Sequence, residues 1–247
     1  MDIKANHIAV VTGGGTGMGR ALVRQLSAAG AHVSMCDVSE ENMAESRALA
    51  LASAPAGTRI TTFKADVSRE ADMLAFRDHV VAEHGTQHVN LVFNNAGIGG
   101  GGAFVTGDRE EWERTFGVCW YGVYYGSRAF MPLLVASDEG YLVNTSSVNG
   151  FWATLGPAIS HTSYAAAKFA VKGFTEALIT DLRLNAPHVK CAVVMRVPAG
   201  AVASARARDS AMFSSETSHI ETCAPAALSW RTSARPMPVP PPVTTAM

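Results

Sequence analysis

The chain has 247 residues, with 20 basic side chains against 21 acidic ones and a formal charge of −1 at neutral pH. That length suffices for one α/β domain with a sizeable core, and the balanced charge, with no basic cluster interleaved with aromatics, argues against a nucleic-acid partner. No apolar run approaches the roughly 20 residues of a membrane helix, and Met1-Asp2-Ile3-Lys4 opens no signal peptide, so a soluble cytoplasmic protein is expected.

The first element is a short apolar run, His7-Ile8-Ala9-Val10-Val11-Thr12, which predicts a buried strand. Gly13-Gly14-Gly15-Thr16-Gly17-Met18-Gly19 follows at once, and a helical stretch runs on to Ala29. Glycines in a strand-to-helix turn let the backbone approach a pyrophosphate, whose charge then meets the free N–H groups and positive end of the helix. The next strand, Ala31 to Cys36, ends in Asp37, placed where a carboxylate accepts hydrogen bonds from an adenosine ribose. The same carboxylate would repel a 2′-phosphate, so NAD is expected rather than NADP.

Beyond Asp37, strand-like runs near 58–64, 89–94, 140–145 and 189–196 alternate with helical ones near 40–53, 68–84, 109–135 and 163–185. This alternation predicts a parallel sheet covered by helices on both faces. Right-handed crossovers would bring Gly13, Asp37, Asn95 and Ser147 to one edge of that sheet. His79, His84 and His88 surround a helix end at Gly85 and lack a matching cysteine or carboxylate set, so solvated histidines and no metal site are expected. Cys36, Cys119, Cys191 and Cys223 are scattered and read as small apolar residues in a reducing compartment. Asn144-Thr145-Ser146 fits a glycosylation pattern, but it falls on a strand expected to be buried.

Chemistry enters with Ser147, Tyr164 and Lys168. Tyr164 and Lys168 are four residues apart, hence on one helix face, and the ammonium there would favour phenolate over phenol. Such a spacing is common on helices. Its weight comes from the company of the glycine turn, Asp37 and the upstream Ser147. A phenol, an ammonium and a hydroxyl brought together can pass a proton to or from an alcohol oxygen.

With these residues in place the chain resembles the short-chain dehydrogenase/reductase family. Thr12-Gly13-x-x-x-Gly17-x-Gly19 is similar to the family's cofactor loop, Asp66-Val67 to its adenine-side pair, and Asn94-Asn95-Ala96-Gly97 to the motif ending its fourth strand, while Ser147, Tyr164 and Lys168 match its catalytic residues. The correspondence runs from about Ile8 to Met195. The resemblance implies a single doubly wound Rossmann-type domain that moves hydride between a nicotinamide and an alcohol or ketone. It also implies that Thr16, Met18, Ala96 and Gly97 help hold the cofactor, that Lys168 grips the nicotinamide ribose, and that the protein is a homodimer or homotetramer built through the two long helices.

Two departures accompany the resemblance. Cys119 stands where the family usually has an asparagine that helps hold a water leading protons from the lysine, and a thiol is a poorer hydrogen-bonding group. From Val197 to Met247 there is one leucine and one isoleucine, while seven of the eleven prolines fall there. Residues 1–196 are therefore expected to form the cofactor-binding catalytic domain, and 197–247 an atypical, partly disordered segment. Phe151, Trp152 and Leu155, between Ser147 and Tyr164, are expected to wall a pocket for an apolar or aromatic secondary alcohol or its ketone. Gly99 to Gly102 would add a flexible segment near the cofactor. The alternatives are a nucleotide-binding protein of this fold with little or no catalysis, and a proline-rich interaction protein.

Overall fold

A computed structural model describes residues 3–100, 102–153 and 160–196. Six strands alternate with helices: β1 (Ile8–Thr12), α1 (Gly17–Ala28), β2 (His32–Asp37), α2 (Glu40–Leu51), β3 (Ile60–Lys64), α3 (Glu70–His84), β4 (Leu91–Asn94), α4 (Arg109–Phe116), α5 (Gly122–Val135), β5 (Gly140–Ser147), α6 (Thr162–Asn185) and β6 (Val189–Arg196). All pairings are parallel, in the order β3-β2-β1-β4-β5-β6, as expected for a doubly wound sheet. The order reverses between β1 and β4, and a crevice opens there at the strand ends.

Why these segments become strands is visible in β1. All five residues are buried, and they alternate between the two cores. Ile8 and Val10 pack with Met73, Phe76 and Val80 of α3 and with Phe130 of α5. Ala9 and Val11 pack on the other face with Val23 and Leu26 of α1 and Met43 of α2. Helix boundaries follow local chemistry. Ser39 accepts from the Asn42 amide at the start of α2, Asp108 accepts from the Glu110 amide at the start of α4, and Gly85 closes α3 with a left-handed φ of 59°.

The helix expected over 109–135 is not continuous. A single π turn, Gly117–Tyr121, separates α4 from α5 and carries Cys119 inward to complete burial. The histidines near Gly85 also differ from expectation. His84 is half-buried, its Nε2 lies 3.3 Å from Thr61 Oγ1, and its ring is 6.1 Å from that of His32. His79 packs on Phe63 with centroids 5.0 Å apart. Strands β2 and β3 cover this end of α3, so only His88 is exposed. Burial, with the charges of Arg59, His32 and His79 beside it, lowers the His84 pKa from 6.5 to about 4.

Cys36 and Cys119 are buried and Cys191 is half-buried; burial raises the Cys36 thiol pKa and pushes that of Cys191 up to about 12. Asn144, Thr145 and Ser146 are buried on β5. A polar chain runs through the core beside them: Asn94 Nδ2 donates to Asn144 Oδ1 at 2.8 Å, and Asn144 Nδ2 to Thr175 Oγ1 of α6 at 3.0 Å. Cys223 and the segment 197–247 lie outside the described residues, as do Leu155 and Gly101.

Candidate active site

The cleft at the reversal of strand order has a volume of about 730 Å³. One wall is the turn between β1 and α1. At Gly13 the backbone turns with φ +66°, and a Cβ there would come within 2.8 Å of Ala96 Cα; a Cβ at Gly19 would fall 1.9 Å from the Gly13 carbonyl oxygen. Only glycine allows this approach. The helix that follows has no acidic residue in its first turn and no side-chain cap at Thr16, so its leading N–H groups face an anion without competition.

Two loops are tied to that turn. Asp37 Oδ2 accepts from the Gly15 amide at 2.9 Å, and Oδ1 from the Ser39 amide at 3.2 Å, which fixes the carboxylate beside the glycine turn. Thr12 Oγ1 accepts from the amides of both Asn95 and Ala96 at 3.0 Å, while Asn95 Nδ2 donates to the Thr12 carbonyl at 3.0 Å. The ends of β1 and β4 are thereby locked together. In the loop after β3, Asp66 Oδ1 accepts from the amide and hydroxyl of Ser68, and Val67 packs beneath it, buried.

The far wall carries Ser147, Tyr164 and Lys168. Ser147 ends β5, is 1% exposed, and its Oγ accepts from the Asn149 amide at 3.3 Å in the following 3-10 turn, Val148–Gly150. Lys168 is 2% exposed; its Nζ donates to the Thr145 carbonyl at 2.8 Å and stands 5.6 Å from the centre of the Tyr164 ring. The Ser146 hydroxyl donates to the Lys168 carbonyl at 2.9 Å, so strand and helix hold each other next to both groups. Burying an ammonium is costly unless it is held by acceptors; the Thr145 carbonyl is one.

Gly13, Thr16, Gly17, Met18, Gly19, Asp37, Asp66, Val67, Asn95, Ala96, Gly97, Ser147, Tyr164 and Lys168 all line this one cleft. Every cofactor-side and catalytic residue expected from sequence is therefore brought together. Others were not foreseen: Arg114 and Val118, one turn apart and reaching the cleft from the start of the long helical segment, Asn149 in the turn after Ser147, and His161 before α6. Their lining position follows from how chain segments cross, which no local spacing encodes. Cys119 Sγ and Lys168 Nζ both approach Gly97, but the thiol is committed elsewhere, 3.3 Å from the Ile98 carbonyl oxygen. Phe151 and Trp152 do not form the expected wall. They are 42% and 70% exposed and absent from the described cleft lining, turned outward where Asn149 Nδ2 donates to the Trp152 carbonyl and Lys172 Nζ covers the Phe151 ring at 4.9 Å. The glycine-rich segment is fastened on one side, since the hydroxyls of Ser160 and Thr162 both donate to the Gly102 carbonyl.

A parallel doubly wound sheet of this strand order, with a glycine turn at its crevice, is a Rossmann-type fold. The chain belongs to the short-chain dehydrogenase family: the model of that family matches residues 7–210, past the point at Met195 where the motif correspondence stopped. It is 38% identical over 209 residues to a Mycobacterium tuberculosis protein named as an oxidoreductase, SadH, covering 85% of this chain and 71% of that one. A Burkholderia phymatum short-chain dehydrogenase/reductase in complex with NAD superimposes with a TM-score of 0.73 at 32% identity, over 88% of this chain and 75% of the other. A metagenomic short-chain oxidoreductase in complex with NADP superimposes with a TM-score of 0.67 at 28% identity, over 80% and 84%.

Proposed function

We propose that the protein is an NAD-dependent alcohol dehydrogenase or carbonyl reductase acting on an apolar or aromatic secondary alcohol and its ketone. The observation that carries this reading is the single cleft shared by Asp37, the glycine turn, Ser147, Tyr164 and Lys168. The turn and the start of α1 would hold the diphosphate, Asp37 the adenosine ribose, and Asp66-Val67 the adenine. Asn95, Ala96 and Gly97 would line the nicotinamide half. A bound nicotinamide accepts or returns hydride.

The protein's own groups do the rest. Tyr164 removes the hydroxyl proton of the alcohol or returns it to the ketone, and Ser147 orients the oxygen. Lys168, held by the Thr145 carbonyl, favours the phenolate and grips the nicotinamide ribose. NAD is favoured over NADP because the Asp37 carboxylate, fixed by the Gly15 and Ser39 amides, would face a 2′-phosphate with like charge. The apolar side chains of Ile98 and Val118, both in the cleft lining, support an apolar substrate. Exposed Tyr121, at the end of the π turn, and Phe169, on α6, support a homodimer or homotetramer, to be checked by sedimentation; a cytoplasmic location belongs to the same proposal. Residues 1–196 are read as the catalytic domain.

The test begins with fluorescence titration by NADH and NADPH, followed by NAD reduction with 1-phenylethanol. NADH should bind more tightly, and Tyr164→Phe should lower turnover by about a hundredfold or more without weakening NADH binding. Preference for NADPH, or turnover confined to charged sugars, would overturn the proposal. Saturable NADH binding with no hydride transfer to any secondary alcohol or ketone would favour the alternative, a nucleotide-binding protein of this fold.

A further inference from the structure

His161 is an ionisable side chain of the cleft that the transfer between substrate and Tyr164 leaves unused. It immediately precedes α6, three residues before Tyr164, and its ring lies 6.4 Å from the Tyr164 ring at an interplanar angle of 61°. The imidazole lines the same cleft as Ser147, Tyr164 and Lys168. Its Nδ1 is buried and has no hydrogen-bond partner among the described residues. An unpaired buried ring nitrogen is costly, and no hydrogen bond to the described residues commits this one to another partner. Both properties suit a group that takes a proton at one position and releases it at another.

The inner side of the cleft is less well furnished for that task. Lys168 Nζ is engaged by the Thr145 carbonyl, and the Cys119 thiol, a weak donor and acceptor, is directed to the Ile98 carbonyl. Imidazole both donates and accepts near neutral pH. Besides Tyr164 and Lys168 on α6, the charged groups lining the cleft are Arg114 of α4, Asp66 after β3 and Asp37 at the end of β2. Of the groups in this set, Tyr164 is the one in ring contact with His161.

We propose that His161 carries the Tyr164 proton to and from bulk water; the proposal rests on the reading of Tyr164 as the acid/base. In alcohol oxidation the carbinol C–H bond breaks and its electron pair leaves as hydride to NAD, while the hydroxyl proton passes to the Tyr164 phenolate and the C=O bond forms. The phenol proton then moves to one nitrogen of His161, directly or across one water, and the other nitrogen releases a proton to solvent. One alcohol and one NAD give one ketone, one NADH and one proton. Ketone reduction runs the same sequence backwards.

The test combines a kinetic and a turnover-independent readout on the full chain. In NAD-linked oxidation of 1-phenylethanol, kcat of His161→Ala should fall by about a hundredfold, with KM for the alcohol little changed, and added imidazole should restore part of the loss. His161→Gln, which hydrogen-bonds but does not titrate, should be equally slow and should lose one limb of the pH profile. NADH binding by both variants verifies that they fold. In protein labelled with ¹³C-histidine, the titration midpoint of the His161 ring should move in Tyr164→Phe. A raised KM with unchanged kcat would make His161 a substrate contact and overturn the relay. Unchanged kinetics in both variants, or a midpoint indifferent to Tyr164→Phe, would overturn it as well. A coupled titration in a parent protein with no turnover would support the His161–Tyr164 pairing and count against the oxidoreductase reading instead.

Discussion

Thr12 offers a quantitative test of how the cofactor side of the cleft is held. Its side chain is 2% exposed, and its single hydroxyl oxygen accepts from the amides of Asn95 and Ala96, both at 3.0 Å. Thr12→Val keeps the shape and removes the oxygen, leaving two amides facing a methyl group. A donor left unsatisfied on burial costs about 1–3 kcal/mol. Because Asn95 and Ala96 border the cleft, one amide can recover water, which puts the expected loss at about 2–3 kcal/mol. For a domain of this size that lowers Tm by about 4–12 °C. Thr12→Ser retains the oxygen and should stay within about 1 kcal/mol of the parent. Urea unfolding followed by tryptophan fluorescence would report the difference as a shifted midpoint at unchanged slope. NADH should also bind Thr12→Val more weakly, since Asn95, Ala96 and Gly97 line the cleft. Equal midpoints for parent and Thr12→Val, or equal losses in the valine and serine variants, would refute the role assigned to this oxygen.

Asp37→Ser should shift the ratio of NADPH to NADH affinity by at least about tenfold toward NADPH, since a single close like charge contributes over 1 kcal/mol; an unchanged ratio would remove Asp37 as the selector. His84 predicts an acid limb in stability. Its folded pKa of about 4 lies below its ordinary 6.5, so the unfolded chain takes up the proton first as pH falls. The contribution is complete above about pH 6.5 and is lost toward pH 4, amounting to about 1–2 kcal/mol after allowance for partial exposure. Denaturation curves from pH 7.5 to 4 should be flatter for His84→Gln, and superimposable parent and variant curves would contradict this. Arg114 lines the cleft, and its guanidinium has no hydrogen bond or ion pair to the described residues. Arg114→Gln should therefore weaken NADH binding about three- to tenfold and reduce its salt dependence. Calorimetry at two salt concentrations would show otherwise if the two proteins behaved alike.

Much of the architecture could be read directly from residue pattern. The apolar runs at Ile8–Thr12 and Leu91–Asn94 are buried on both faces, and a strand of that kind leaves an unmistakable trace. Ser147, Tyr164 and Lys168 stood out through the company of the glycine turn and Asp37 rather than through their own spacing, and all of these line one cleft. What stayed hidden depends on contacts between segments distant in sequence. The π turn at Gly117–Tyr121 inserts one residue per turn into a helix whose apolar periodicity otherwise looks continuous. His79 and His84 lie at a helix end, where exposure is the ordinary expectation, and only the neighbouring strands β2 and β3 enclose them. Phe151 and Trp152 have the composition of a pocket wall. Their direction is set by the short turn after Ser147, through Asn149, and composition carries no information about it.

The hydrogen bonds from Asn94 to Asn144 and from Asn144 to Thr175 join β4, which leads directly into Asn95, with β5 and α6, which bear Ser147 and Lys168. Amide and hydroxyl groups tolerate little sliding before such bonds break, whereas apolar side chains can shift against one another at small cost. The spacing between the strand that leads into Asn95 and the elements that carry Ser147 and Lys168 is consequently a dimension of the protein interior. Under the proposed function, exchange of surface loops around the cleft would alter which alcohol enters and leave that dimension unchanged.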